Sequence, residues 1–282
     1  MHSYSFIKKA GTLLVLAFFI GFNFSANATS FLSLIIDDIG HNYNDGNTAL
    51  SLPGKITYAL LPYSAHATAL SAIGLKNNKE FILHSPMQSI DNRLITRHTL
   101  HIHMSEQQFT QQFHAQLDQF PFIKGINNHM GSLLTRHPGY MDLLMRELKD
   151  NRNLFFLDSR TSERSVALQI ASEHDVPTLK RDVFLDNDPS LQAINRQLDQ
   201  AIRIAKTNGY AVVIGHPYPS TLNVLQKRLP ELEKSDIKLI TASSLITKLQ
   251  EHDNEKSTDT ARSGLRGTRS RHPYRLAQKS RH

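Results

Sequence analysis

The sequence contains no cysteine among its 282 residues. The chain therefore cannot form disulfides, a cysteine-ligated zinc site, an iron–sulfur cluster or a thiol nucleophile. Histidine, by contrast, occurs 15 times. If this protein binds a metal, the protein ligands must be imidazole and carboxylate groups.

The central part of the chain is also close to neutral, although the whole chain carries +7. Residues 29–250 contain 22 Lys or Arg and 21 Asp or Glu. The excess lies in residues 1–28, with two lysines and no acid, and in residues 251–282, with eight basic and four acidic side chains. Because the basic residues belong to the ends, we expect no nucleic-acid partner for the folded part.

Residues 1–28 have the pattern of a secretory signal peptide. Lys8 and Lys9 form a basic region, residues 13–22 are apolar, and small residues at 26 and 28 form a cleavage site. The apolar run of about 10 residues is shorter than the roughly 20 that span a bilayer. An uncleaved membrane anchor is the alternative. We expect cleavage near Ala28 and export, to the periplasm if the source is Gram-negative.

Residues 251–282 combine many Arg, Ser, Thr and His with almost no aliphatic periodicity. This composition predicts a disordered basic tail. The tail could contact an anionic membrane surface or cell-wall polymer weakly, or be solvated without a function. A nucleic-acid-binding arm is less consistent with the sequence, because no aromatic stacking platform accompanies the basic residues.

Residues 29–250 have the length of one large domain, and short apolar runs alternate in it with helical patterns. Most of these runs are apolar on both faces, as in parallel strands buried between layers. The predicted strands are Phe31–Asp37, Ile56–Leu60, Glu80–His84, Ile123–Asn127, Leu154–Asp158, Thr178–Asp182, Ala211–Ile214 and Lys238–Ile240. The alternation predicts an α/β domain, either a (β/α) barrel or a doubly wound parallel sheet.

Two helices have recognisable ends. Ser105 with Gln108 is typical of a capping box at a helix start. A second helix is predicted to begin at Asp188-Pro189 and to end at Gly209.

Polar residues suited to metal binding or catalysis follow six of the predicted strands. They are Asp37 and Asp38, His84, the group Asn127, Asn128 and His129, then Asp158, then Arg181 and Asp186, and finally His216. Because the carboxyl ends of parallel strands meet on one face, we expect these side chains to line one cleft.

Asp37 and Asp38 are two adjacent carboxylates at the end of an Ile-rich strand. Like charges this close resist joint ionisation unless a cation or a basic group compensates them. We interpret one as a metal ligand and the other as a general base. The alternative is a helix N-cap followed by a loop carboxylate.

His84 and His129 would complete a set of one carboxylate and two imidazoles with open positions for water, a common arrangement in zinc hydrolases. Asn127 and Asn128 could orient a ligand or bind a substrate hydroxyl. The alternatives are a hydrogen-bonded core histidine at 84 and a tight turn at 127–129.

His216 ends another apolar strand, and the following proline restrains its backbone. An imidazole suits proton donation to a leaving group. Asp158 or Asp186 could orient this imidazole, and Arg181 could lower the pKa of a nearby carboxylate. Ordinary salt bridges are the alternative for these last three residues.

Residues from about 31 to 246 resemble the divergent polysaccharide deacetylases, distant relatives of the nodulation-type carbohydrate esterases. The resemblance rests on six ordered motifs at matching strand ends. They are Ile35-Ile36-Asp37-Asp38-Ile39-Gly40, His84-Ser85-Pro86-Met87, Gly125-Ile126-Asn127-Asn128-His129-Met130-Gly131-Ser132, Phe156-Leu157-Asp158-Ser159, Arg181-Asp182-Val183-Phe184-Leu185-Asp186 and Ile214-Gly215-His216-Pro217.

The resemblance implies a distorted (β/α) barrel of about seven parallel strands and a divalent metal, usually zinc. In the similar deacetylases the first Asp of the doublet is the base and the second a ligand, which correspond to Asp37 and Asp38. The histidine near the carboxyl-terminal end of those deacetylases, which protonates the leaving group, is similar to His216. Their arginine-containing motif has no clear counterpart here, and Arg181 is the candidate.

The second motif of the similar deacetylases carries two histidines four residues apart. Here Gln88 stands four residues after His84, so that loop has one imidazole. We assign the role of the second imidazole to His129, because the neighbouring strand would bring it to the same face.

The sequence thus predicts an exported metal-dependent hydrolase that removes N- or O-acetyl groups from an envelope carbohydrate. One alternative is a catalytically inactive protein that binds carbohydrate or a partner on the same barrel. Another is a phosphoesterase, which usually uses a second metal with bridging carboxylates. Since the chain has no tryptophan, affinity for a sugar would come from Tyr, Asn and backbone groups.

Overall fold

The computed structural model of the chain describes residues 29–91, 96–150 and 154–262. The predicted signal peptide at 1–28 lies outside the described residues, and so do residues 263–282 of the predicted tail. Among the helices of the described part, none is both long enough and apolar enough to cross a membrane.

Strands and helices alternate through the described residues. The strands are β1 (Ser30–Ile39), β2 (Thr57–Leu60), β3 (Glu80–Met87), β4 (Gly125–Met130), β5 (Phe155–Asp158), β6 (Thr178–Lys180), β7 (Val183–Phe184), β8 (Tyr210–Gly215) and β9 (Ile237–Leu239). The helices are α1 (Tyr43–Leu50), α2 (Ala67–Lys76), α3 (Glu106–Leu117), α4 (Pro138–Asp150), α5 (Ala167–Glu173), α6 (Leu191–Asn208), α7 (Pro219–Leu232) and α8 (Ala242–Arg262).

The strands form one sheet in the order β6-β5-β4-β3-β2-β1-β8-β7, in which every pairing is parallel. Strand β9 pairs with the first residues of β1, and β2 pairs with the last ones. Within the described part of the chain, no pairing joins the two ends of this order, β6 and β7. The sheet is therefore a half-open barrel surrounded by helices, which confirms the predicted fold class.

The described residues form nine strands, whereas the resemblance implied about seven. Three of the nine, β6, β7 and β9, are only two or three residues long. The predicted strand Thr178–Asp182 ends at Lys180, and a separate two-residue strand, β7, begins at Val183. Two residues contain no alternation of apolar and polar side chains, so β7 has no sequence pattern of its own.

Two apolar layers lie on the two sides of the sheet. The outer layer packs between the strands and the surrounding helices and includes Leu34 and Ile36 of β1. The inner layer contains the intervening residue, Ile35, because successive side chains of a strand point to opposite faces. The start of α8 packs into this inner layer through Leu245 and Ile246, and so closes the amino-terminal end of the barrel.

The capping box at Ser105 is confirmed. Its hydroxyl accepts a hydrogen bond from the backbone N–H of Gln108, and the Gln108 side chain accepts one from the backbone N–H of Ser105. The start of α6 differs from the prediction, because Ser190 is the N-cap and Asp188 lies two residues before it. Gly209 ends that helix in the left-handed conformation, with φ of 85°, as predicted.

Helix α8 continues to Arg262, so residues 251–262 are helical where the sequence predicted the start of a disordered tail. The first turns of α8 are anchored in the inner layer. Adding turns to an existing helix costs much less free energy than starting one, which explains the extension through a polar segment.

Candidate active site and metal centre

The alternation of side chains along the strands places the candidate residues inside the carboxyl-terminal end of the barrel. Ile35 and Ile82 belong to the inner apolar layer. Asp37 and His84 follow them by two residues and therefore face the same side of the sheet. His216, directly after β8, follows the inner residue Ile214 in the same way. The interior is thus apolar in its middle and polar at its carboxyl-terminal mouth.

Asp38 reaches the same mouth through an irregularity in β1. Its φ is 58°, in the left-handed region that few residues other than glycine adopt. The pairing of β1 with β2 shifts register between Ile36 and Ile39, as at a β-bulge. This irregularity breaks the strict alternation of β1, so two successive carboxylates can both face the site.

Three ligand atoms converge at this mouth: Asp38 Oδ1, His84 Nε2 and His129 Nδ1. The oxygen lies 3.2 Å from His84 Nε2 and 3.1 Å from His129 Nδ1, and the two nitrogens are 3.1 Å apart. Ligands at about 2.0–2.2 Å from a zinc ion are roughly 3.0 Å apart at right angles and roughly 3.4 Å apart at the tetrahedral angle. The triangle therefore has the size of a metal coordination shell.

The chemistry of these donors also fits a divalent cation. Asp38 Oδ1 is buried and makes no hydrogen bond of good geometry. Burial alone would raise the pKa of Asp38, but His129 and His84 beside it hold this pKa well below its ordinary value. The carboxylate is thus ionised and faces two imidazoles, a donor set suited to zinc and similar metals.

Asn127 links the proposed base to one of the proposed ligands. Its Nδ2 donates to Asp37 Oδ1 at 2.8 Å, and its Oδ1 accepts from His84 Nδ1 at 2.7 Å. Since the carboxylate only accepts, the Asn127 amide has one orientation, and His84 carries its proton on Nδ1. Burial alone would lower the pKa of His84, but Asp37 and Asp38 raise it. In the neutral ring, which binding of a metal ion requires, Nε2 is the electron-pair donor that faces Asp38 and His129.

Asp37 is buried and lies next to this centre, with Oδ2 3.7 Å from His84 Nε2. Burial raises the pKa of Asp37, although the charges of His84 and His216 and the hydrogen bond from Asn127 lower it in part. A carboxylate with a raised pKa accepts a proton more readily than an ordinary one, which suits a general base.

His216 faces Asp38 from the side of its second carboxylate oxygen, Oδ2, and is held in place by Asp186. Its Nδ1 donates to Asp186 Oδ1 at 2.9 Å, and Asp186 Oδ2 accepts from the His216 backbone at 2.6 Å and from Thr221 Oγ1 at 2.8 Å. Nε2 points to the site, 4.0 Å from Asp38 Oδ2. Burial alone would lower the pKa of His216, but Asp186, with Asp37 and Asp38, raises it to about 9.

Asn128 and Asp158 brace loops rather than contact this centre. Asn128 donates to the carbonyl of Met130 at 2.6 Å and accepts from the backbone of Ser159 at 2.9 Å. Asp158 Oδ1 accepts from the backbone of Arg160 at 2.8 Å. Of the two carboxylates considered for orienting His216, the structure places Asp186 in that contact.

Arg181 also makes its described hydrogen bonds to a loop. Nε donates to the carbonyl of Ser159 at 2.6 Å, Nη2 donates to that of Arg160 at 2.8 Å, and the guanidinium lies 4.8 Å from the centre of the Phe184 ring. Burial raises the pKa of Asp158, and the charge of Arg181 offsets this only in part. Arg181 thus holds the loop after β5 and adds positive charge beside it.

Gln88, at the position where similar deacetylases have a second histidine, supports a loop. Its side-chain oxygen accepts from the backbone of Ile102 at 3.0 Å. The second imidazole of the triangle belongs to His129, on the strand that pairs with β3 in the register Pro86 to His129. The expectation from strand geometry thus corresponds to the observed placement.

Two residues that contact His216 or its partner Asp186 were not predicted from the sequence. Thr221 donates to Asp186 from the first turn of α7, and its proximity depends on how that helix begins. Tyr218 stacks on His216 with ring centres 5.3 Å apart and planes at 19°. An aromatic residue between two prolines, two positions after the histidine, was the available signal for Tyr218.

Comparison with known proteins identifies relatives across most of this chain. A family model described as divergent polysaccharide deacetylase matches residues 34–246. The uncharacterized protein YibQ of Escherichia coli strain K12 is 35% identical over 230 residues, which cover 82% of this chain and 69% of that protein. An uncharacterized protein of Haemophilus influenzae strain KW20 is 35% identical over 229 residues, which cover 81% of this chain and 80% of that protein.

Similarity also extends to a solved structure. That of an uncharacterized protein from Agrobacterium tumefaciens C58 has a TM-score of 0.74 at 20% identity, covering 78% of this chain and 91% of that one. At this identity the similarity concerns the fold alone. The match of the family model over residues 34–246, together with the two relatives, confirms the resemblance inferred from the motifs. The chain belongs to the divergent polysaccharide deacetylase family.

Proposed function

We propose that this protein is an exported metal-dependent hydrolase that removes N- or O-acetyl groups from an envelope carbohydrate. The observation that carries the proposal is the convergence of Asp38 Oδ1, His84 Nε2 and His129 Nδ1 between Asp37 and His216. Membership of the family supports a carbohydrate substrate.

Asp38, His84 and His129 would hold one divalent ion, and their mixture of carboxylate and imidazole favours zinc. When bound, such an ion supplies Lewis-acid activation of the acyl carbonyl and of a water molecule. Asn127 keeps the Nδ1–H tautomer of His84, so that Nε2 remains available as a ligand.

Asp37 and His216 would carry the two proton transfers. Asp37 takes a proton from the attacking water, and its burial supports that role by raising its pKa. The bond between the acyl carbon and the sugar nitrogen or oxygen breaks, and His216 donates a proton from Nε2 to the departing group. The products are acetate and a free amine or hydroxyl on the sugar.

Asp186 and Asn127 are positioning residues in this scheme. Asp186 accepts both the Nδ1–H and the backbone N–H of His216, which fixes the ring with Nε2 toward the site. Arg181 supports the loop after β5 and contributes a positive charge that acts on Asp37.

Export is supported by the pattern of residues 1–28, and a Gram-negative source would place the protein in the periplasm. In that compartment the basic residues near the carboxyl terminus would contact the membrane surface or the cell wall weakly.

The geometry favours the hydrolase over the two alternatives. An inactive binding protein was suggested by the missing second histidine in the His84 loop, and His129 Nδ1 lies 3.1 Å from His84 Nε2 instead. A two-metal phosphoesterase needs a second group of ligands with bridging carboxylates. Within the described ranges, three metal-ligating side chains cluster at one place, formed by Asp38, His84 and His129.

The test is acetate release from N-acetylated and O-acetylated oligosaccharides by full-length exported protein. We expect release by wild type, loss of release after chelation, and recovery on adding zinc. Asp37→Asn should reduce kcat by about 100-fold or more, because it removes the base. Asp236→Asn, an exposed acid before β9, is the matched control and should retain wild-type activity. Zinc-loaded wild type that releases no acetate from either class would overturn the proposal.

A further inference from the structure

The turn directly before α3 carries a second group of side chains suited to metal binding, separate from the candidate metal centre. The group consists of His101, His103 and Met104. These three side chains line a surface cavity of about 460 Å³, and the rest of the lining is formed by Gln108, Gln111 and Gln112. Among the described residues, no Asp, Glu, Lys or Arg lines this cavity. The cavity therefore offers neutral donors only.

The backbone of this turn is fixed by contacts within the turn and with its neighbours. The N–H of Met104 donates to the carbonyl of His101 at 3.3 Å, which closes the turn. Gln88 Oε1 accepts from the backbone of Ile102 at 3.0 Å. The Tyr140 hydroxyl shares its one proton between the carbonyl of Ile102, at 2.7 Å, and that of Met104. The positions from which the three side chains project are thus set before any ligand binds.

The rings of His101 and His103 are spaced to share one ion. Their centres are 6.1 Å apart and their planes are inclined at 51°. A ligating imidazole has its centre about 3.1–3.2 Å from the metal, because the metal–nitrogen bond is about 2.0 Å and the nitrogen lies about 1.1–1.2 Å from the ring centre. Two such rings have centres about 5.1 Å apart at the tetrahedral angle and about 6.3 Å apart on opposite sides of the ion. The observed separation corresponds to a wide angle at the metal, of about 150°.

The electron pair of His101 is already directed toward the second imidazole. His101 Nδ1 accepts from the backbone N–H of His103 at 3.3 Å. Burial lowers the pKa of His101, and the charge of His103 lowers it further, which favours the neutral ring that binds metals. Since His103 is exposed, its ring can turn a nitrogen toward the same point, and an ion there replaces the long hydrogen bond.

Met104 adds a soft donor to the two imidazoles. Its side chain is half-buried against the core and lines the same cavity. Two of the surrounding amides are engaged elsewhere, because Gln108 Oε1 accepts from the backbone of Ser105 at 2.9 Å and Gln112 Nε2 donates to the carbonyl of His98 at 3.3 Å. Among the common metals, a thioether selects Cu(I), whereas harder cations prefer carboxylate and carbonyl oxygens.

We propose that His101, His103 and Met104 form a Cu(I)-binding site, with the two imidazoles at a wide angle and the thioether as the third ligand. Cu(I) accepts two or three ligands at wide angles, whereas zinc usually takes four in a tetrahedron. The site does not depend on the proposed hydrolase, because it shares no residue with the candidate metal centre. Zinc thus belongs to the barrel mouth and copper to this turn.

The test is an anaerobic titration of full-length, zinc-loaded protein with Cu(I), in competition with the coloured Cu(I) chelator bicinchoninate. We expect wild type to bind one equivalent of Cu(I) beyond its zinc. His101→Ala and His103→Ala should each raise the Kd for this copper by about 10-fold or more, because even the partners of metal ligands contribute about 10- to 100-fold to affinity. His252→Ala, which removes an exposed histidine of α8, is the matched control and should bind Cu(I) as wild type does.

X-ray absorption at the copper edge identifies the third ligand. We expect one sulfur neighbour at about 2.3 Å from the copper in wild type, similar to metal–sulfur bonds in other sites. Met104→Leu, which keeps an apolar side chain of similar size, should lose this sulfur and raise the Kd for Cu(I) by about 10-fold. Copper without a sulfur neighbour in wild type would overturn the three-ligand site.

A variant of the barrel mouth separates this site from the candidate metal centre. His129→Ala should bind the same equivalent of Cu(I) with unchanged Kd. Loss of that copper in His129→Ala would place it at the mouth and overturn the proposal. The same conclusion would follow if wild type bound no Cu(I) beyond its zinc, or if His103→Ala, which removes an exposed side chain and leaves the turn intact, bound Cu(I) as tightly as wild type. Acetate release by zinc-loaded protein tests the hydrolase separately from each of these results.

Discussion

Zinc should raise the melting temperature of the metal-free protein, because the ion binds the folded site and not the unfolded chain. The three ligand atoms already lie 3.1–3.2 Å apart, so binding requires little rearrangement. Free zinc at 100 times its Kd stabilises the folded state by about 2.7 kcal/mol. With about 2.1 cal/mol/K of unfolding entropy per residue, roughly 220 residues give about 0.46 kcal/mol/K. The expected shift is therefore about 6 °C.

His129→Ala should remove most of this shift. If the loss of one ligand weakens affinity by about 100-fold, the same zinc concentration equals the new Kd and stabilises by only about 0.4 kcal/mol, or about 1 °C. His114→Ala is the matched control, because His114 lies on α3 and pairs with Glu147 at 2.7 Å, away from the barrel mouth. It should keep the shift of about 6 °C.

The assay is calorimetry of chelator-treated protein with and without zinc, and the quantity compared is the zinc-induced shift of each variant. Comparing shifts removes the change in stability that each substitution causes in the absence of zinc. Equal shifts in wild type and His129→Ala would show that zinc binds elsewhere. No shift in wild type at any zinc concentration would refute the reasoning from the triangle of ligand atoms.

Three further predictions concern the residues around the centre and one helix end. The activity of wild type should fall as pH rises through the His216 pKa of about 9, because the proton donor must be protonated. Asp186→Asn should shift this alkaline loss of activity to lower pH, because Asp186 raises the pKa of His216. An unchanged pH profile would count against His216 as the donor. Asn127→Ala should reduce kcat about 10- to 100-fold by releasing Asp37, measured as acetate release, and wild-type kcat would contradict this. Ser105→Ala should lower the unfolding free energy by about 1 kcal/mol in urea denaturation through loss of the cap, whereas no change would mean that water replaces it.

The residues of the site could be predicted from the sequence where strand geometry alone determines their position. Asp37 and His84 each stand at the carboxyl end of a strand whose preceding side chains form the inner apolar layer. A parallel sheet must therefore bring both to the same end of the barrel. His129 could be reached in the same way, because β3 and β4 are consecutive in the chain and paired in the sheet.

Other features depend on the path of loops, which has no periodic pattern. Asp158 ends β5 and Asp186 comes shortly after β7, and only the turn between β7 and α6 brings Asp186 to His216. The break between β6 and β7 arises at Arg181 and Asp182, where Asp182 binds the backbone of β8 instead of continuing a strand.

The central claim is that one metal ion is held by three side chains at the mouth of this barrel. Anomalous diffraction at the zinc edge from crystals of zinc-loaded protein tests it most directly. We predict one peak within about 2.0–2.2 Å of Asp38 Oδ1, His84 Nε2 and His129 Nδ1, and its loss in His129→Ala. Absence of a peak at these atoms in zinc-loaded crystals, or two ions bridged by carboxylates, would contradict the claim.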